Sequence, residues 1–434
     1  MPRAQGASKK ETFEMGPFKY FKGKLFAEGV SIANLAEEIG TPFYCYSSAM
    51  LEKQYHMFAS AVQSLDMEIC YAVKANSNIA VIRTLARLGA GADVVSVGEF
   101  KRAIVAGIPA NKIIYSGVGK TPTELRLVLN GGIKQINVES EAELDAISEI
   151  SRSIGVEANI AIRVNPNVDA ETHEKITTGR SENKFGIDIA SASSIFQRAA
   201  SLPNLNVTGV AVHIGSQLVS LIPYRKAYKR LYELVKTLRE EGINIVNLDL
   251  GGGLGIKYNN EIIPSSKSYG QMVSEVLGTL GCHITFEPGR IISGDSGIMV
   301  TRVVLMKDGA DRIFCVVDGA MNDLVRPTLY NAYHEIIKIE EPDNNGETFL
   351  VDVVGPICES GDFFAQRREM PSLKKGDLLA ICSAGAYGAV MSSTYNSRPL
   401  IPEIMVKGED FSIIRKRLEV DDMIDFEKFP SWLD

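Results

Sequence analysis

A few side chains in this 434-residue chain stand out because their types and surroundings suit chemistry more than packing. Lys74 continues the apolar run Tyr71-Ala72-Val73 straight into Ala75-Asn76. It is either an ordinary exposed strand-end lysine or a partly desolvated amine, whose lowered pKa would suit imine formation with an aldehyde. The run Gly251-Gly252-Gly253-Leu254-Gly255 has four glycines in five positions, more than one tight turn needs. Without side chains in the way, a phosphate can approach several of its backbone N–H groups. His213, followed by Ile214-Gly215-Ser216, is either a satisfied core histidine or an imidazole stacked on an aromatic cofactor. Glu287-Pro288-Gly289-Arg290 sets an acid and a guanidinium about a rigid turn. The pair either closes the fold as a salt bridge, or Glu287 keeps a pyridine nitrogen protonated while Arg290 grips a carboxylate.

Further along, Pro327 opens a short helix in which i, i+4 spacing brings Arg326 near Tyr330, and both can hold a carboxylate. Cys358 stands beside Glu359 in Ile357-Cys358-Glu359-Ser360-Gly361-Asp362, either as a small buried residue or as a reactive thiol. Tyr387, flanked by Gly385, Ala386 and Gly388, is either a capping aromatic or part of a site. Three partial motifs carry no function. Gly117-Val118-Gly119-Lys120-Thr121 lacks the first glycine of a phosphate-binding P-loop, His173-Glu174 has threonine at 177 where a zinc protease needs histidine, and Gly251 to Gly255 has Ile256 where a dinucleotide fingerprint needs glycine.

The elements that must position these residues follow a pattern. From about residue 49 to 290, short β-rich runs alternate with helical stretches such as Ile79 to Leu88, Glu141 to Ser153 and Tyr224 to Glu241. Eight strands are expected: 68–73, 92–96, 112–116, 135–139, 158–164, 207–214, 245–250 and 283–286. The fold class is therefore α/β, a closed (β/α)8 TIM-like barrel over 48–295, with the chemistry at the C-terminal ends of its strands. There Lys74, Asp93, Ser96, His213, the glycine run, Glu287 and Arg290 fall. From 296 to 434 the texture turns to alternating strands and Gly-containing turns, a second, mostly β domain of sandwich or barrel type. Strand-like pieces within 15–47 are expected to join it, and residues 1–14 read as a flexible tail.

Composition narrows the function classes. Hydrophobic residues make up 45%, charged residues 23%, and the net charge of −7 gives no basic footprint for nucleic acid or an anionic membrane. The six cysteines form no CxxC pair, which argues against a disulfide framework or a metal site. A cytoplasmic protein acting on a small molecule is expected, with neither nucleic acid nor membrane as partner.

In their order along the chain, these motifs resemble the alanine-racemase-like (fold-type III) class of pyridoxal-phosphate enzymes and, within it, the diaminopimelate decarboxylases. The likeness runs from about Lys24 to Glu403. The motifs around Lys74, His213 to Gln217, Asp249 to Gly255 and Glu287 to Arg290 are shared with the wider decarboxylase group. Thr178-Gly179 with Asn183 to Ile187, Arg326-Pro327 with Tyr330 and Ala332-Tyr333-His334, Cys358 to Asp362, and Tyr395 to Pro399 are more specific.

The resemblance implies that Lys74 carries the pyridoxal 5'-phosphate as a Schiff base. Asp93, His213, Ser216, Gly251, Gly252, Gly253, Glu287, Pro288, Gly289, Arg290 and Tyr387 would surround the cofactor. Arg290, Arg326, Tyr330, Glu359 and Tyr387 would bind meso-2,6-diaminopimelate, and Cys358 would donate a proton once CO2 has left to give L-lysine, the last step of lysine biosynthesis. It also implies a homodimer in which Cys358 and Glu359 reach the partner's barrel. Other decarboxylases of the group, acting on ornithine, arginine or carboxynorspermidine, a racemase, or a non-catalytic pyridoxal-phosphate-binding homologue, are the alternatives. Arg326 with Tyr330 disfavours ornithine and arginine, and retention of Lys74 and Cys358 disfavours a silent homologue.

Overall fold

A computed structural model describes residues 16–169, 178, 184–343 and 346–433. The tail 1–14, His173-Glu174, Gly179, Asn183 and the turn residue Asn345 lie outside the described residues.

Eight parallel strands close on themselves: β1 (Met67–Ala72), β2 (Gly91–Val94), β3 (Ile113–Tyr115), β4 (Gln135–Val138), β5 (Ala158–Asn165), β6 (Leu205–Ala211), β7 (Asn247–Asp249) and β8 (His283–Phe286). Closure comes from β8 pairing with β1, Phe286 opposite Ile69, and from β4 pairing with β5, Ile136 opposite Ile160. Helices cover the outside. The helix Ile222–Glu240 buries Tyr224, Ala227, Tyr228, Leu231, Leu234, Val235 and Leu238 at helical spacing. Tyr224 and Phe286 both contact Tyr269, in an aromatic cluster with ring centroids 5.2 and 6.0 Å apart. The expected barrel is thus present, with strands mostly shorter than the sequence suggests. Because β1 and β6 stop at Ala72 and Ala211, Lys74 and His213 sit in the loops just beyond them, and only Asp93 lies within its strand.

A second body is built around the long strand Gly297–Asp308. Its start pairs with Phe43–Ser47, its middle with Leu378–Ile381 and its end with Ile313–Val317. Phe43–Ser47 also runs parallel to Glu403–Lys407, so an N-terminal strand lies between two strands from late in the chain. The pieces Phe18–Phe21, Lys24–Ala27 and Val30–Ser31 form their own three-stranded sheet. Their Phe18, Leu25 and Val30 pack in one core with Phe43, Ile298, Val300 and Ile404. No helix among the described residues is long and apolar enough to cross a membrane.

One buried carboxylate joins the two bodies. Glu403 accepts from the Tyr46 hydroxyl at 2.6 Å and from Asn78 Nδ2, at the start of a barrel helix, at 3.0 Å. It also pairs with Arg415 Nη1 at 3.0 Å. Glu403→Ala strands all three donors, so thermal and urea denaturation should show a loss of about 3–5 kcal/mol; a change below about 1 kcal/mol would show that the linkage is not needed.

Candidate active site

Beyond β1 the chain makes one 3-10 turn, Val73–Ala75, that carries Lys74. The second body holds this turn in place. Tyr387 N–H donates to the Ala75 carbonyl at 2.7 Å, and Asn76 Nδ2 donates to the Gly385 carbonyl at 3.0 Å. Lys74 Nζ lies 3.0 Å from Asp93 Oδ2, while its side chain keeps 35% exposure. It lines a cavity of about 370 Å3 shared with Ser116, Asn137, Arg163, His213, Asp249 and Glu287. The lowered lysine pKa expected from desolvation is not found. Burial does pull the value down, but the carboxylates of Asp93 and Glu287 outweigh it and leave Lys74 above the ordinary lysine range.

Those carboxylates are themselves constrained. Asp249 accepts from Asn137 Nδ2 at 2.7 Å and from the Gly251 N–H at 3.0 Å. Ser116 Oγ accepts from Asn137 Nδ2 at 3.0 Å and donates to Glu287 Oε1 at 3.4 Å. Burial, then the neighbouring Asp249 and Asp93, push Glu287 well above the usual carboxylate range, and burial raises Asp249 as well. His213 is pushed well below 6.5 by burial, then by Lys74 and Arg163. Its Nδ1 accepts the Gly252 N–H at 3.3 Å, so this imidazole is neutral and carries its proton on Nε2.

The glycine run wraps this histidine. A Cβ at Gly252 would strike the Glu287 carbonyl and one at Gly253 the Gly215 carbonyl, so only glycine lets these three loops meet. Gly251 and Gly252 direct their N–H groups inward, to Asp249 and His213. The N–H groups of Gly253, Gly289 and Arg290 have no acceptor among the described residues. Gly289 packs where a Cβ would crowd Ala75 and Ala72, and the Pro288 carbonyl accepts from the Ala72 N–H at 3.2 Å.

Arg290 does not close a salt bridge with Glu287. Its Nη2 donates to Ser216 Oγ at 3.0 Å, its Nη1 donates to the Tyr258 hydroxyl at 2.7 Å, and its guanidinium lies 4.6 Å from the Tyr387 ring centre. Arg326 approaches the same tyrosine, 5.0 Å from the Tyr258 ring and 6.0 Å from the Tyr330 ring. Both arginines are buried, at 5% and 6% exposure, and among the described residues no carboxylate pairs with either. Burial, then Arg290, lower the Arg326 pKa. Two such guanidiniums side by side make a site for an anion.

Cys358 and Glu359 lie elsewhere. Cys358 is exposed rather than buried, and neither residue lines the Lys74 cavity. Their turn is fixed by Asp362, whose carboxylate accepts from the Ile357 and Met321 N–H groups at 2.6 and 2.7 Å. The Thr328 hydroxyl donates to the Gly361 carbonyl at 2.6 Å and ties the turn to the helix Arg326–Tyr330. Five residues around these sites carried no role in the sequence reading: Ser116, Asn137, Arg163, Tyr258 and His334. Ser116 and Asn137 sit at barrel-strand ends beside Tyr115 and Val138, and that position was a usable signal. Tyr258 and His334 come from loops; His334 lies in the motif Ala332-Tyr333-His334 but carried no role there, and nothing local marked Tyr258.

The residues fit pyridoxal phosphate: an amine, two carboxyl groups and a neutral histidine line one cavity, Asp93 holds the amine, and glycine-permitted loops beside it carry N–H groups without an acceptor among the described residues. Barrel, sheet body and site together define a pyridoxal-phosphate-dependent decarboxylase. Residues 48–294 match the family described as pyridoxal-dependent decarboxylase, pyridoxal binding domain. Diaminopimelate decarboxylase of Zymomonas mobilis is 44% identical over 96% of this chain and 100% of its own length, and that of Pseudomonas fluorescens 47% over 94% and 98%. The Helicobacter pylori enzyme, solved with L-lysine, superposes with a TM-score of 0.88 at 40% identity over 91% of this chain and 98% of its own. The M. jannaschii enzyme, also solved with L-lysine, gives 0.91 at 35% over 96% and 99%. The chain belongs to the diaminopimelate decarboxylase family.

A pH test follows from His334, which burial, then Arg326, push down to about 3. Its folded pKa lies below the unfolded value of 6.5, so acid protonates the unfolded chain first and stability is lost as pH falls from 6.5 toward 3. Relative to His334→Gln, which does not titrate, the wild type should lose about 1.4 kcal/mol per pH unit in that window. Urea denaturation of both proteins at stepped pH measures the difference, and a pH-independent difference would contradict a neutral buried His334.

Proposed function

We propose that this enzyme decarboxylates meso-2,6-diaminopimelate to L-lysine and CO2, closing a lysine-biosynthetic route in the cytoplasm. The observation that carries the choice of substrate is the pair of buried guanidiniums, Arg290 and Arg326, left without a carboxylate among the described residues. A substrate that keeps a second carboxylate away from the reacting carbon supplies it, whereas ornithine and arginine do not. Tyr330 and Tyr387 flank the same pair, with Tyr387 beside Arg290 and Tyr330 beside Arg326.

Lys74 would hold the cofactor through its amine, with Asp93 steadying that nitrogen at 3.0 Å. Glu287 would face the ring nitrogen, His213 would flank the ring, and Ser216 with Gly251 to Gly253 and Pro288 to Arg290 would surround the phosphate. Bound pyridoxal phosphate supplies a protonated, conjugated ring that takes up the electron pair released as CO2 departs. His213, held neutral, adds no positive charge against that ring. Cys358 Sγ would deliver the proton that replaces the carboxylate, and Glu359 would read the distal ammonium.

Exposure of Cys358 away from the Lys74 cavity supports a homodimer in which each subunit lends Cys358 and Glu359 to the other's site. Incubation with meso-diaminopimelate and pyridoxal phosphate should yield equimolar CO2 and L-lysine; turnover of ornithine instead would refute the substrate. Lys74→Ala and Cys358→Ala should each be nearly inactive alone. Co-expressed, they should regain about a quarter of wild-type activity, since half of randomly mixed dimers contain one intact site out of two. No recovery on mixing would refute the shared site.

A further inference from the structure

The strongest unassigned feature is the apparatus around the two guanidiniums. His334 is fully buried and bonds at both ring nitrogens: Nδ1 donates to the Cys382 carbonyl at 2.8 Å, and Nε2 accepts the Arg326 Nε–H at 3.2 Å. The ring meets Tyr258 edge-on, with centroids 5.2 Å apart and planes at 76°. Tyr258 in turn accepts from Arg290 through its hydroxyl oxygen. That leaves the hydroxyl proton without an acceptor among the described residues. Its loop is fixed from behind, because Glu261 accepts the Tyr258 and Asn259 N–H groups at 3.1 and 2.7 Å.

An aspartate or glutamate is the usual means of orienting a buried arginine, and it neutralises the arginine as it orients it. Here both orienting groups are uncharged. The Arg326 Nε–H is occupied, yet the full positive charge of both guanidiniums stays available.

We propose that His334 and Tyr258 are specificity determinants of the proposed reaction. His334 is a positioning residue that aims Arg326 without cancelling its charge. Tyr258 aims Arg290 and donates its hydroxyl proton to the same substrate carboxylate. The inference rests on the function proposed above and adds how a dicarboxylate is preferred over a carboxylate-free diamine.

The test compares two ligands of the cofactor-loaded enzyme, L-lysine and 1,5-diaminopentane, by calorimetry and by competition with meso-diaminopimelate. Tyr258→Phe and His334→Leu should weaken L-lysine about tenfold or more, the size expected for a lost hydrogen bond to a charged group. Binding of 1,5-diaminopentane should change less than about twofold, because it has no carboxylate to lose. His334→Gln, which can keep a neutral acceptor, should retain the preference. His334→Glu, which supplies a competing carboxylate, should abolish it, and KM for meso-diaminopimelate should rise more than kcat falls. Melting temperatures show which variants are folded; Tyr258→Phe and His334→Gln preserve shape and decide the matter if His334→Leu unfolds. Equal L-lysine affinity in wild type and Tyr258→Phe, or parallel loss of both ligands, would overturn the proposal while leaving the function intact. A wild type that neither binds L-lysine nor turns over meso-diaminopimelate would remove the function and this proposal together.

Discussion

The Lys74 ammonium stands 3.0 Å from Asp93, with Asp249 and Glu287 buried around the same cavity. Carboxylates removed from water are costly to keep charged, and crowding them adds repulsion. One ammonium offsets part of that cost. The remainder shows in Asp249 and Glu287, which burial and mutual repulsion push above the usual carboxylate range. Much of the surrounding architecture serves this local imbalance. Asn137 and Ser116 offer neutral donors to the acids, and the Tyr387 and Asn76 contacts hold the Lys74 turn against them.

The division between the two bodies is chemical as well as topological. The barrel supplies the acids, the amine and the neutral histidine, while the second body supplies Arg326, Tyr330, Tyr387 and the Cys358 turn. Arg290, at the end of β8, bridges them by touching Ser216 and Tyr258 on one side and Tyr387 on the other. In the function proposed above, substrate selection and cofactor binding would therefore meet at one guanidinium.

The barrel was readable in the sequence because eight apolar runs alternate with amphipathic helices, and polar residues collect where the runs stop. Lys74, Asp93, His213 and Glu287 were legible for that reason. The lysine's electrostatics were not. Desolvation is inferred from an apolar neighbourhood in sequence, whereas the opposing charge of Asp93 and Glu287 comes from other strands and is visible only in space. The roles of Tyr258 and His334 escaped for a related reason: although His334 stands in a family motif, each sits in a loop with no periodic pattern and meets the other only after the two bodies dock. Cys358 was found by its motif, but its exposure contradicts the buried alternative that a lone cysteine suggests.

The placement of Phe43–Ser47 bears on how the chain is made. Tyr46 pairs with Gly297 and Tyr44 with Glu403, so an early strand finds its partners only after the whole barrel has been synthesised. Until then its edges have nothing to pair with, and closing so long a loop is slow compared with local helix formation. The barrel can form first, but the loop bearing Tyr387 rests on the completed sheet. The Lys74 turn therefore gains its final geometry only when the last third of the chain arrives, so capture of a cofactor by Lys74, as proposed above, would belong to the end of translation.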